Sequence, residues 1–355
     1  MVKDTYQLIQ AVKKMYPVVN FFKDRYFPDI KRKFYAEEIM IDSKKQGRKI
    51  APFVIPMVNG ITMEDEAFRT DIIKAPYIAI KMPITAEELS HRAFGENPDS
   101  NRSPEQRQKE VEAEHLDDLR KMIMRRWEKM GTDIITTGEV VIDQYPDAAS
   151  AIAGTGAVQR KLCYYDGSFG NRYIMGKKLV NMTAAEKIDA LFKMAGTLRK
   201  RGFKNSDLVI TSDVAATLFG DADFLDFYDK RRVIVGEIKP VETPEGVVHS
   251  GTINVRGVNL DIFIYDESFE DLDGTEAEFL PAGTIAMLRP GLGKTAYAQV
   301  SFVKGESMKS YADALVPRVV PNENDNIIVV QMYSRPVLYP EYIDGWIIAD
   351  ANKAN

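Results

Sequence analysis

Five residues, Gly291-Leu292-Gly293-Lys294-Thr295, have the types and order that end a phosphate-binding loop. In such a loop the glycines let backbone N–H groups cradle phosphates, while the lysine and hydroxyl reach the terminal phosphates and their metal. The full pattern needs a further glycine five residues before Gly293, and Leu288 stands there. The loop must also open a helix, whereas Tyr297 to Val303 alternates like a strand. The expectation is a glycine-rich turn between strands that binds no nucleotide. Asp213, Asp221, Asp223, Asp226 and Asp229 could gather a divalent cation, but their intervals match no calcium-loop template. Helix caps and helix faces account for several of them. His91, His115 and His249 lie too far apart for metal-ligand spacing. Ser212, His249 and the carboxylates assemble no triad or acid–base pair. The sequence therefore predicts no catalytic residue, no cofactor and no metal.

The elements around these residues are more informative. Ser103 to Thr137 reads as one long helix. Ser103 is a good N-cap, Pro104 suits the first helical position, and Gln106 completes a capping box. Leu116, Leu119, Ile123, Trp127, Met130 and Ile134 recur at steps of three and four, which marks one buried stripe. At 1.5 Å per residue the run spans about 50 Å. Gly131 is its weak point and Gly138 its stop. Upstream, Thr5 can cap a short helix carrying Leu8, Ile9, Val12 and Tyr16. The cluster Phe21-Phe22-Lys23-Asp24-Arg25-Tyr26-Phe27-Pro28 could stack bases, but better suits an extended arm anchored on another surface.

Between Lys33 and Ile84 two alternating stretches flank a long excursion with a polar tract at 42–49 and a charged tip at Glu64-Asp65-Glu66. Pro52, Pro56, Pro76 and Pro83 do not suit a central strand, because proline cannot donate to the ladder. A projecting hairpin tolerates them. Downstream, Val140–Ile142 reads as a strand and 145–157 as a loop of small residues. Thr183 and Glu186 form a second capping box, before a helix that Gly202 closes. Leu208–Ile210 is a short buried strand, with Ser212 or Asp213 capping the helix to Phe219. Val258, Leu260, Ile262 and Ile264 alternate as in a half-buried strand.

Composition bounds the rest. With 355 residues, 45% hydrophobic and 28% charged, the chain is a folded protein of one or two domains. It has no apolar run of membrane-spanning length and no signal-peptide pattern, so no membrane partner is expected. A single cysteine, Cys163, excludes an intrachain disulfide framework. The net charge of −5 argues against a dedicated nucleic-acid binder. The basic clusters Arg199-Lys200-Arg201 and Lys230-Arg231-Arg232 leave open a local contact with a neighbouring subunit or DNA, although a solvated helix end explains the first.

The order of these pieces resembles the major capsid protein family of lambda-like tailed phages, the family of the lambda gene E product. Tyr6-Gln7-Leu8-Ile9-Gln10-Ala11, the 21–28 cluster, Ala51-Pro52-Phe53-Val54-Ile55-Pro56 with Gly60 behind it, and Ala75-Pro76-Tyr77-Ile78 carry the resemblance, with the long helix in the place of the family's spine helix. Phe279-Leu280-Pro281 and the segment from Ile327 to Pro340 resemble it again. The resemblance implies an α+β, Hong Kong-type capsid fold: an N-terminal arm (1–32), an extended loop (33–84), a peripheral domain (85–180 and 304–355, with the spine helix at 103–137) and an axial domain (181–303). The last segment is expected to return to the spine helix as one long strand. The implied function is assembly of an icosahedral shell around double-stranded DNA. The implied partners are other copies in pentamers and hexamers, a scaffolding protein, a portal, a decoration protein and packaged DNA. The implied location is the virion, after synthesis in the host cytoplasm. Phe21, Phe22, Arg25, Tyr26, Arg48, Lys49, Phe53, Val54, Glu64, Asp65, Glu66 and Trp127 are the expected subunit-contact residues. An encapsulin-like nanocompartment shell shares the fold and is the alternative; a nucleotide-binding enzyme using Gly293-Lys294-Thr295 is the other.

Overall fold

The computed structural model describes residues 5–14, 20–31, 34–43, 69–90, 103–165, 167–225, 247–304, 307–322 and 326–353. Helix α1 (Thr5–Lys14) buries Leu8, Ile9 and Val12. Helix α2 (Phe21–Tyr26) follows, where an extended arm was expected. Strands β1 (Glu38–Ser43) and β2 (Arg69–Lys74) pair antiparallel and form the base of the excursion. Strand β3 (Ile78–Thr85) carries Pro83 and is an edge strand, as a missing donor requires. After the short α3 (Ala86–Ser90), helix α4 (Pro104–Thr137) has both caps read from the sequence. Ser103 Oγ accepts from Gln106 N, the Gln106 side chain accepts from Ser103 N, and Gly138 closes the helix at φ +74°. All six stripe residues, from Leu116 to Ile134, are buried.

Beyond α4, strands β4 (Glu139–Gln144) and β5 (Val158–Cys163) form a hairpin. Between them lies a helix, α5 (Ala148–Ala153), and not only a loop. Asp147 accepts from Ser150 N at 2.7 Å, and this cap on a run of alanines is enough to make a helical turn. Strand β6 (Arg172–Tyr173) is followed by helix α6 (Ala184–Lys200), with the expected Thr183–Glu186 box. Strand β7 (Asp207–Ile210) leads to helix α7 (Ser212–Phe219). Its N-cap is Thr211, one residue before the expected position; Asp213 is occupied by the Thr211 hydroxyl and Ser212 N donates to Asp266.

Strands β8 (Val247–Val255) and β9 (Val258–Tyr265) are joined by a tight turn. Then come β10 (Ser268–Glu270), β11 (Glu276–Glu278), β12 (Thr284–Leu288), β13 (Gly293–Tyr297), β14 (Val300–Lys304) and β15 (Ser307–Tyr311). The chain ends with β16 (Val316–Asn322), β17 (Ile327–Ser334), β18 (Pro336–Pro340) and β19 (Ile347–Asp350). The main sheet has six strands in the order β6-β19-β12-β7-β9-β8, and a three-stranded sheet β16-β17-β3 lies under α4.

Both faces of the six-stranded sheet are covered. Leu208, Ile210, Leu260, Ile262, Ile285 and Met287 pack with α6 and α7. Val209, Phe263, Tyr265 and Ala286 pack with α2 and the C-terminal half of α4. Strand β9 is therefore buried on both sides, where its alternation predicted one, because aromatic residues of α2 cover the second face. The stretches expected as separate domains share strands. β6 and β19 fall in the stretches assigned to the peripheral domain, yet complete the six-stranded sheet. β13, assigned to the axial stretch, pairs with β18 beside α4. The last segment is three strands: β17 and β18 contact α4, and β19 leaves for the other sheet.

Candidate interaction surfaces

The glycine-rich stretch serves packing. Gly291, at φ +69°, turns the chain into β13, which pairs antiparallel with β18 and opens no helix. A Cβ on Gly293 would lie 2.2 Å from the Tyr339 carbonyl oxygen and 2.6 Å from the Phe27 ring. Lys294 Nζ is paired with Glu341. The buried Thr295 hydroxyl donates to Phe27 O at 2.6 Å, while Thr295 N donates to Pro28 O at 3.0 Å. The residues that resemble a phosphate cradle thus hold the N-terminal segment.

That segment is locked at two buried carboxylates. Glu128 on α4 is 1% exposed and accepts from Phe22 N at 2.7 Å, Lys23 N at 3.0 Å and the Tyr265 hydroxyl at 3.1 Å. Burial pushes its pKa up to about 7 against the pull of these three bonds, and Glu267, which accepts from the same Tyr265 hydroxyl, pushes the same way. Asp207, at the start of β7, is fully buried. It accepts from Arg25 Nε at 2.5 Å, Tyr26 OH at 3.0 Å and Ser206 Oγ at 2.7 Å. Burial drives the Tyr26 hydroxyl well above its usual pKa, and the Asp207 charge adds to this. Lys23 reaches Asp24 and Asp29, both at 2.9 Å; these carboxylates outweigh its burial and raise its pKa.

Four of the expected contact residues are consequently used inside the subunit. Phe21, Phe22 and Tyr26 are buried among one another and against Phe263 and Tyr265, with ring centroids 4.9–5.8 Å apart. Trp127 is buried beside Tyr297 at 5.3 Å. They offer little apolar area to a second chain, because the sheet face above them must itself be covered. Arg25 is partly exposed but committed to Asp207. Arg48, Lys49, Phe53, Val54, Glu64, Asp65 and Glu66 lie outside the described residues.

Exposed apolar side chains mark other surfaces. Met40 and Ile72 are cross-strand partners on the outer face of the β1–β2 pair, 67% and 62% exposed, while Ile39, Ile41 and Ile73 face inward. Val303 and Met308 are partners on β14–β15, 56% and 74% exposed. Sequence reasoning missed these pairs, and it missed Glu128 and Asp207. The signal for Glu128 was its spacing on α4, four residues after Met124 and seven before Ile135, both buried apolar residues. Asp213 accepts from the Thr211 hydroxyl, and Asp221 pairs with Lys187 at 2.8 Å and caps the turn at Asp223 and Phe224. Asp226 and Asp229 lie outside the described residues, among which no group of metal-ligating side chains forms.

The sequence profile of a family described as phage major capsid protein E matches residues 4–150 and 156–351. No curated protein matches the chain. Among solved structures, the chain is similar to a prophage capsid protein of E. coli CFT073, with a TM-score of 0.68 and 18% identity over 99% of both chains. It is also similar to a phage-related protein from Bordetella bronchiseptica RB50, with a TM-score of 0.53 and 8% identity over 99% of this chain and 98% of that one. At such identities the likeness is one of fold.

Proposed function

This chain belongs to the phage major capsid protein E family, and from that premise we propose how its copies meet and what they enclose. It is a shell-forming structural protein with the Hong Kong-type capsid fold, a component of the virion. The observation that carries this is the family match on both sides of residues 151–155, which spans nearly the whole chain. The shell is icosahedral and built from rings of five and six copies around double-stranded DNA, in the proposed reading. A scaffolding protein, a portal and a decoration protein complete its set of partners, and synthesis takes place in the host cytoplasm. The excursion between β1 and β2 lies over a neighbouring subunit. The exposed Met40–Ile72 pair at its base supports this, since exposed cross-strand apolar pairs gain area by docking. The chain has no catalytic role. The Glu341 partner of Lys294 and the place of Lys294 within β13 support this over nucleotide chemistry.

Electron microscopy and light scattering of the concentrated protein, alone and with its scaffolding partner, should reveal closed shells or large oligomers. A strictly monomeric species under both conditions would count against the reading. ATP binding should be absent in the native protein, and Lys294→Ala should change nothing in that assay; tight binding abolished by the substitution would restore the enzyme reading.

A further inference from the structure

Cationic side chains from four separate places converge near the C-terminal end of α6. The Arg199 and Arg256 guanidinium groups lie over the Phe192 ring, at 5.0 and 5.2 Å from its centroid. The Arg289 guanidinium caps the edge-to-face pair Phe203 and Tyr342, at 5.2 and 5.4 Å. Lys204 follows Phe203 in the chain, and Arg199, Phe203 and Lys204 line one groove of about 330 Å³. The helix dipole explains Arg199 and Lys200, which occupy the last turn of α6. It does not explain Lys204 beyond the helix, Arg256 on the β8–β9 turn or Arg289 after β12. Arg256 moreover holds φ +49°, a conformation that asparagine or glycine adopts at lower cost. Asp189 meets Arg256 at 2.9 Å and Lys193 at 2.8 Å. Lys204 and Arg289 make no ion pair among the described residues, and Arg289 Nε is buried without an acceptor. This positive ridge stands on a chain of net charge −5.

We propose that the ridge binds the phosphate backbone of double-stranded DNA without reading its sequence; the identity of the partner rests on the shell reading above. The rings are already faced by guanidinium groups. They hold cations in place and are not open to stack on bases, so the contact is with phosphates. Such binding releases counterions, and the slope of log affinity against log salt counts the phosphates met, at about 0.9 each.

The test uses fluorescence anisotropy of a short labelled duplex with the full-length protein across a salt series. The double variant Lys204→Gln with Arg289→Met removes two charges and keeps a long side chain against Phe203 and Tyr342. Its slope should fall by about two and its affinity at low salt on the order of tenfold or more, whereas Lys121→Gln on α4 should leave both unchanged. Scrambling the duplex sequence should have no effect. Electron microscopy of the same samples separates the two readings. Shells that still form while duplex binding falls support the proposal. Duplex binding through the ridge without any shell from the native protein also supports it, and removes the shell reading instead. Equal slope and affinity in the double variant would overturn it, as would lost shells with unchanged duplex binding, which would make the ridge a contact between copies. If Arg289→Met unfolds by circular dichroism, Lys204→Gln with Arg256→Gln carries the same test.

Discussion

Two buried carboxylates show how much single residues bear in this molecule. Asp207 is fully buried and Arg25 is its cation, at 2.5 Å. Removing one partner of such a pair leaves an uncompensated charge in the interior. Arg25→Ala should therefore cost roughly 3 kcal/mol, and Arg25→Ala with Asp207→Asn less than that. Chemical denaturation of the three proteins measures both, and a double variant no more stable than Arg25→Ala would show that Asp207 was not left stranded. Glu128 behaves differently, because burial raises its pKa from 4.5 to about 7. The folded protein keeps this proton to a higher pH than the unfolded chain. Between pH ~4.5 and ~7 it binds more protons, so its stability falls as pH rises through that window. The contribution is fully present below the lower value and gone above the upper one. It amounts to roughly 3 kcal/mol. Melting curves from pH 5 to 8 should show this decline, and Glu128→Gln should flatten it; an unchanged slope in the variant would place the titration elsewhere.

Two glycines have opposite consequences for the elements that carry them. Gly131 lies inside α4, and a Cβ there would meet Phe22 Cβ at 3.4 Å and Leu338 at 3.8 Å, which is ordinary contact. The sequence marked it as the weak point of the helix, and α4 runs through it unbroken. Gly131→Ala should thus be tolerated and raise stability by up to about 1 kcal/mol, through helix propensity. Gly293 has no such room. A methyl group would press on the Tyr339 carbonyl and drive β13 from β18, or Phe27 from both. Gly293→Ala should cost about 2–3 kcal/mol. Thermal melts of the two variants should move in opposite directions. A neutral Gly293→Ala would mean that the N-terminal segment yields easily there.

Among the described residues, apolar side chains remain outside the core. Met40 and Ile72 stand opposite one another on the outer face of β1–β2, and their inward neighbours complete the core. Met40→Thr with Ile72→Thr keeps strand propensity and removes apolar area, so folding should change by only about 0.5 kcal/mol. Assembly should be lost or slowed, because every subunit repeats the missing contact. Charge reversal at Arg48 and Lys49, or at Glu64, Asp65 and Glu66, tests the tip of the same excursion. Like charges at a docking surface can cost several kcal/mol. These variants should stay folded by circular dichroism and fail to form shells in electron microscopy. Normal assembly, or unfolding, would remove the excursion from the set of intersubunit elements.

Much of this was legible in the sequence wherever the cause is local. The caps of α4 and α6 are bonds between residues three apart, and the buried stripe of α4 is a period of one helix, so both follow from the order of residues alone. The rejection of a phosphate loop was local as well, since it needed only Leu288 and the strand after Thr295. Capsid family membership was legible in the order of several weak segments, none decisive by itself. What the sequence left undecided depends on contacts across long separations. Phe22 reaches Glu128 over 106 positions and Arg25 reaches Asp207 over 182. Such contacts leave no period, so the aromatic cluster read as an arm for another surface. Only the tertiary structure turned it inward: both faces of β9 need cover, and α2 supplies the aromatic rings for the second. The same holds for β6 and β19, whose short runs carry no sign of their sheet: β19 fills the edge that β12 presents, and β6 then adds to the edge of β19.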